Sequence, residues 1–269
     1  MPRVNINGIN LYYEVSGSGP SVVLCHGYTG SHQDWIFQVP VLAQEYQVVT
    51  VDHRGHGTSD APSSADAYSI PTLGDDLYGL LNYLDIAKCC LVGHSMGGLV
   101  ALQLALDQPH IVSSLVLVDT ASGPLDIPGH ADRRAKLLEI ARTDGMKAVF
   151  EYDARRNPSS LRRFERYPRL FNRSKRRMLE MPVDGYVYTG QALSQQQDLT
   201  GRLKEISVPT LVMVGEEDFP FQRPSRILAE GISNAQLRVV PQGLHCPHEE
   251  EPETFNQILL EFLSQVMPS

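Results

Sequence analysis

A chain of 269 residues with a hydrophobic share of 42% is long enough to bury one large core, with room for an inserted subdomain but not for several independent domains. A net charge of −8 and the lack of any nucleic-acid motif weigh against a nucleic-acid partner, and no run approaches the ~18 consecutive apolar residues of a membrane span. The opening MPRVNINGINLYYEVSG has no basic region followed by an apolar run, and the four cysteines (Cys25, Cys89, Cys90, Cys246) show neither framework nor C-x-x-C spacing, so a reduced, cytoplasmic protein is expected.

In chain order, Leu11–Val15 reads as an early strand. Ser21–Cys25 is a β-branched run, a buried strand by pattern, and Tyr46–Asp52 is another. Leu73, Leu77, Leu80, Leu81 and Leu84 then recur at i, i+4, i+7, i+8 and i+11, which is one face of a helix. Strand Cys89–His94, helix Met96–Asp107 closed by Pro109, and strand Ser113–Asp119 follow. Near the end come strands Thr210–Gly215 and Ala235–Val240. A last helix places Phe255, Ile258, Leu259, Phe262 and Leu263 on one face. Strands alternating with helices predict an α/β fold, a mostly parallel central sheet flanked by helices.

The stretch from Ala121 to Thr200 is chemically distinct. It holds 15 Lys and Arg against 10 Asp and Glu, while the remainder holds 8 basic against 21 acidic residues. It is helical by composition and interrupted by Pro158, Pro168 and Pro182. Phe164, Tyr167 and Phe171 form one stripe, and Arg162, Arg166, Arg169 and Arg173 a second. The division expected is a core of 1–120 and 201–269 with a helical cap of 121–200. The arginine stripe is expected to face water, since charged stripes ordinarily do; recognition of a substrate carboxylate or phosphate is the alternative. The cap aromatics, Tyr186 and Tyr188 among them, either line an apolar acyl pocket or form the cap's own small core.

Chemistry enters at Gly93-His94-Ser95-Met96-Gly97, a G-x-S-x-G pattern between a β-run and an apolar helix. Ser95 must project from a sharp, strained turn to expose its Oγ. Gly93 and Gly97 pack where a Cβ would clash, and Gly98 lets the helix approach the strand. The pattern alone is weak and also fits a tight turn around a buried serine; its context is what raises it. CHGYTG (Cys25–Gly30) follows the second buried strand, and its backbone can turn an N–H toward Ser95. The N–H groups of Tyr28 and Met96 are the expected oxyanion donors. His26 is expected to orient this loop. His53 and His56 are read as structural, and no H-x-x-x-H or carboxylate cluster calls for a metal or any other cofactor.

These motifs together resemble the α/β-hydrolase fold family, in its branch with a helical cap. HGYTGSHQDW resembles its oxyanion loop, DHRGHGTSD (Asp52–Asp60) its D-x-R-G-x-G-x-S turn, and GHSMGG its nucleophile elbow. GEEDFP and HCPHEEEP resemble its acid and histidine loops, in the order Ser, Asp, His. The family's histidine is followed at +5 by Glu and at +7 by Pro. From His245 these are Glu250 and Pro252; from His248 they are Glu253 and Phe255. The resemblance therefore implies His245, and His248 is read as a surface or capping residue. Independently, Pro252 suits the first turn of the closing helix and the acidic run its positive end. Leu244 departs from the family, which usually has Gly directly before this histidine. Asp218, three residues past Gly215, is the implied acid, with Glu216 and Glu217 as loop charges and Asp119 as an alternative.

The resemblance implies a hydrolase in which Ser95, Asp218 and His245 cleave a carboxylic ester of a small or medium-sized molecule through an acyl-enzyme. A lactonase, a carbon–carbon bond hydrolase, a cofactor-free lyase or perhydrolase, or a ligand receptor on the same scaffold remain alternatives. The partner expected is a small molecule with a carbonyl group. The sequence leaves the oligomeric state open.

Overall fold

The β-branched runs become the middle of an eight-stranded sheet in the computed structural model, which describes residues 2–125 and 129–267. The strands are β1 (Arg3–Ile6), β2 (Ile9–Ser16), β3 (Ser21–Cys25), β4 (Gln47–Val51), β5 (Cys89–His94), β6 (Val112–Val118), β7 (Thr210–Gly215) and β8 (Ala235–Val240). Their order is β1-β2-β4-β3-β5-β6-β7-β8. β2 runs antiparallel to both β1 and β4, and every other pairing is parallel. The expectation of a mostly parallel sheet flanked by helices holds. β1 went unread in the sequence, although Asn7-Gly8 marks its hairpin. Both turn residues have positive φ (51° and 81°), which this dipeptide tolerates best.

The helices are α1 (Val39–Leu42), α2 (Ile70–Tyr83), α3 (Met96–Asp107), α4 (His130–Arg156), α5 (Pro158–Arg166), α6 (Phe171–Glu180), α7 (Val183–Ser194), α8 (Phe219–Gly231), α9 (Pro247–Glu250) and α10 (Pro252–Val266). Side chains alternate across the sheet, so its central strands feed two cores. Val23, Cys25 and Leu91 join the leucines of α2 and the apolar face of α3. Val22, Leu24 and Val92 join Trp35 and Phe255, Leu259 and Leu263 of α10. Ser69 caps α2 by accepting the Thr72 N–H at 3.1 Å. Among the described residues, no helix is long and apolar enough to cross a membrane.

Helices α4 to α7 lie between β6 and β7. The prolines interrupt them as expected: Pro158 opens α5, Pro168 opens the short 3₁₀ turn Pro168–Leu170, and Pro182 precedes α7. α4 bends at Gly145, whose φ of 78° breaks the helical path. Leu137, Leu138, Ile140, Val149, Tyr186 and Val187 belong to a separate small core of this insertion. Residues 126–128, within the expected insertion, lie outside the described residues.

Arg54, in the loop after β4, meets Asp76 of α2 through two hydrogen bonds of 2.5 and 2.7 Å, with side chains only 6% and 3% exposed. A buried pair of this kind punishes loss of one partner, because the other charge stays buried. Arg54→Met is expected to lose about 3–5 kcal/mol in urea unfolding. Arg3→Met removes an exposed pair to Asp60 at 3.9 Å and should change stability by less than about 0.5 kcal/mol. Equal losses for the two variants would contradict this account.

Candidate active site

Ser95 stands at the carboxyl end of β5, in the middle of the parallel region and at the start of α3. Its backbone has φ 50° and ψ −113°, outside the ordinary regions for a residue with a Cβ. Two bonds hold it: the Ser95 N–H donates to Val118 O at 2.9 Å, and Thr120 Oγ1 donates to Ser95 O at 2.7 Å. The turn closes only because its neighbours lack side chains. A Cβ on Gly97 would overlap the Cys25 carbonyl oxygen, and one on Gly93 would overlap Gly97 itself. Gly98 faces Thr120 with equally little space.

His245 and Asp218 come to the same point from the loops after β8 and β7. His245 Nδ1 lies 2.8 Å from Asp218 Oδ2, and His245 Nε2 lies 3.1 Å from Ser95 Oγ. A carboxylate only accepts, so Nδ1 carries the proton and Nε2 is left to accept from the serine hydroxyl. Asp218 is 6% exposed, and the Phe221 ring sits 4.6 Å from the imidazole of His245. His94, between Gly93 and Ser95, donates from Nε2 to His245 O at 2.7 Å and so steadies the loop from below.

Asp119 ends up behind Asp218 instead of replacing it. Its Oδ1 accepts the Gly215 N–H at 2.9 Å, and it makes no bond to His245 among the described residues. Burial, with Asp218 alongside, pushes its carboxyl well above the usual range. Asp119, Asp218 and His245 each bring a donor atom within 4.8 Å of one another, a grouping the sequence did not foretell. The Nδ1 to Asp218 bond already engages two of those atoms with each other. Glu216 and Glu217 point elsewhere, to Gln242 N and to Arg162 and Arg166.

The loop after β3 lies against the serine. Gly27 is so close that a Cβ there would sit 2.7 Å from His94 Nδ1 and 3.3 Å from Ser95 Cβ. Among the described residues, neither the Tyr28 nor the Met96 N–H donates to a protein acceptor, so both remain available. His26 orients this loop: its Nδ1 donates to Gly27 O at 2.7 Å while its Nε2 accepts the His53 N–H at 3.1 Å. The Tyr28 hydroxyl reaches up to Tyr186 O of α7 at 2.6 Å, and the two rings stack at 5.1 Å. Cys25 is fully buried and burial pushes its thiol up to about 12, so it stays protonated.

One sequence reading is overturned and another holds in part. His248 is neither a surface nor a capping residue: it is 1% exposed, packed between Trp35 and His94 with ring centroids 4.6 Å from each. Of the stripe expected to face water, Arg162, Arg166 and Arg169 are exposed and only Arg173 is drawn inward. Arg163, Arg173 and Arg177 are largely buried and pair with Glu249, Glu250 and Asp34, all in the core. Burial alone would raise the pKa of Glu249, but Arg177, Arg163 and Arg173 reverse this and hold it well below the usual carboxylate range. Of the aromatic stripe, Phe164 and Phe171 form a cluster with Phe150 at 5.2–6.1 Å, so they serve the insertion's own packing.

A family model described as the alpha/beta hydrolase fold matches residues 20–252. A Bacillus subtilis protein, provisionally named 2-succinyl-6-hydroxy-2,4-cyclohexadiene-1-carboxylate synthase, is 32% identical over 99% of this chain and 100% of its own. A Klebsiella pneumoniae protein, provisionally named carbamate hydrolase RutD, is 34% identical over 93% of each chain. Among solved structures, a thermophilic esterase from Thermogutta terrifontis superposes with a TM-score of 0.89, at 30% identity over 99% of both chains.

The buried histidines make acid stability a test of this packing. Burial lowers His53 to about 3, His56 to about 4 and His248 to about 3. An unfolded histidine takes its proton near 6.5, so stability is full above that pH and falls as pH drops from 6.5 toward 4. Each such histidine contributes up to about 1.4 kcal/mol per pH unit to the decline. His248→Phe, measured by unfolding at a series of pH values, should flatten the slope by about one proton while leaving kcat near wild type. An unchanged slope would show that His248 titrates in the folded protein.

Proposed function

The chain belongs to the alpha/beta hydrolase fold family and is a hydrolase, and from that premise we propose that it cleaves carboxylic esters of small or medium-sized molecules through an acyl-enzyme on Ser95. One observation carries the reading: a strained, forward-pointing serine lies in hydrogen-bond reach of an imidazole whose other nitrogen is held by a buried carboxylate. The esterase likeness supports it.

In this reading Ser95 Oγ attacks the substrate carbonyl carbon as His245 Nε2 takes the hydroxyl proton. Asp218 keeps Nδ1 protonated and stabilises the imidazolium that forms. The carbonyl oxygen, now an oxyanion, accepts from the N–H groups of Tyr28 and Met96. Met96 is the first residue of α3, so the positive end of that helix adds to the attraction. His245 returns the proton to the leaving alcohol. Water, activated by the same imidazole, then attacks the acyl carbon and releases Ser95. Neither step calls for a cofactor.

The insertion is a cap in this reading, with Tyr28 and Tyr186 joined across its boundary beside the serine. A small molecule with a carbonyl group is the partner, and four free cysteines suit a reducing, cytoplasmic setting. A second reading has its own support, since a relative at 34% identity carries the carbamate hydrolase name: a carbamate offers the same carbonyl to the same serine. Fold likeness supports a hydrolase and leaves the bond cleaved and the metabolite open.

Turnover of p-nitrophenyl esters from short to long acyl chains tests the proposal, with a carbamate and a lactone alongside. Wild type is expected to hydrolyse at least one ester, and Ser95→Ala to lose at least about 10⁴ in kcat with an unchanged melting temperature. Ester hydrolysis retained in Ser95→Ala would end the serine mechanism. Turnover confined to the carbamate would move the substrate class.

A further inference from the structure

One short stretch of the insertion grips both loops that carry the Asp218–His245 pair. From α5, Arg162 and Arg166 pair with Glu217, the residue before Asp218. Arg166 Nη1 also donates to Gln242 O at 3.0 Å. The Tyr167 hydroxyl lies 3.1 Å from Gln242 O and 2.7 Å from Glu251 Oε1, and can donate to one at a time. Arg169 Nη2 donates to the carbonyls of Glu249 and Glu250. At the centre Arg163 donates from Nε to Glu250 Oε1 at 2.7 Å and from Nη2 to Glu249 Oε2 at 2.6 Å.

Glu250 carries this grip to the imidazole. Its Oε2 accepts the Leu244 N–H at 2.8 Å, and both its oxygens lie 3.3 Å from the Cys246 N–H. Those are the amides on either side of His245. Leu244 stands where the family usually has glycine, and its N–H is held by the Glu250 side chain. The Glu250 side chain is 0% exposed and that of Arg163 is 11% exposed. Burial raises the pKa of Glu250, and the guanidinium of Arg163 is the strongest influence opposing that rise. A buried anion with no counter-charge would protonate or swing away, and would then release the two amides.

We propose that Arg163 of the insertion, acting through Glu250, is a positioning residue that sets His245 against Ser95. The cap is then part of the proton-transfer machinery at this corner as well as a roof over the substrate. This inference rests on the hydrolase reading of Ser95 and goes beyond it. Displacement of the imidazole by about 1 Å is enough to cost on the order of 10²-fold in rate.

The test compares Arg163→Gln, Arg163→Lys and Glu250→Gln with Arg176→Gln, an exposed α6 arginine with no ion pair among the described residues. Active sites are counted by fluorophosphonate labelling of Ser95, so that kcat is expressed per labelled site. Amide exchange of Leu244 and Cys246 is followed in parallel, and melting temperature is recorded throughout. Arg163→Gln is expected to lose about 10–100-fold in kcat per site, with KM within about threefold of wild type. Both amides should exchange at least about tenfold faster. Arg163→Lys, which keeps the charge but not the two-point fork, should recover part of the rate and decides the matter where Arg163→Gln does not fold. Arg176→Gln should match wild type in all readouts. Normal kcat per site and normal exchange in Arg163→Gln, even with a lower melting temperature, would overturn the proposal and leave a purely structural pair. Wild type that neither labels nor turns over would instead defeat the serine-hydrolase reading, with the exchange measurement still deciding the clamp.

Discussion

Ser95 is held at φ 50°, a backbone conformation that costs about 1–3 kcal/mol, and much of the molecule is arranged to keep it there. β5 delivers it from the centre of the sheet, flanked by β3 and β6. α3 can begin immediately after it because Gly97 lies directly against the Cys25 carbonyl. The same closeness sets the Cys25–Gly30 loop beside the serine hydroxyl. The strand ends of a parallel sheet form a crevice, and α/β folds place their chemistry there. The loops after β7 and β8 open on that same edge and bring Asp218 and His245 to the serine. The strain of Ser95 and the place of the Cys25–Gly30 loop therefore share an origin in the packing of α3 against β3, while the loops after β7 and β8 supply Asp218 and His245.

Charge is distributed by a consistent rule around this point. Histidines that touch the core are kept neutral by burial: His26 and His94 well below their ordinary range, His248 at about 3. Burial pushes Asp119 in the same sense, toward its neutral form, with Asp218 adding to the rise. Buried groups that stay charged are matched. Glu249 has three guanidiniums, and Asp34, which burial pushes up to about 6, faces Arg177. The insertion is joined to the sheet domain through these matched charges, which reach the helix directly after the His245 loop.

Much of this was legible because it is local. β3, β5, β7, β8 and α3 follow β-branched runs, a glycine turn and an apolar helix whose signals lie within each segment. The choice of His245 over His248 came from spacing to Glu250 and Pro252. In the structure Glu250 is bonded to the amides beside His245, a physical reason for that spacing. Long-range pairings were not legible. Arg163 and Arg177, off the stripe read as a wet face, turn inward to Glu249, Glu250 and Asp34, partners far along the chain that no local pattern announces. His248 beside three glutamates read as surface, because nothing local announces that Trp35 and Phe255 enclose it. The Asn7-Gly8 hairpin was local and could have been found; a four-residue strand with two polar residues made it easy to pass over.

The central claim is that Ser95 carries the acyl group. The most direct measurement is to mix the enzyme with an ester substrate, quench in acid during turnover, and locate the added mass by peptide mapping. An acyl group on the peptide containing Ser95, absent from Ser95→Ala, is the result this account predicts. Turnover that proceeds with the acyl group on another residue, such as Cys246, would contradict it.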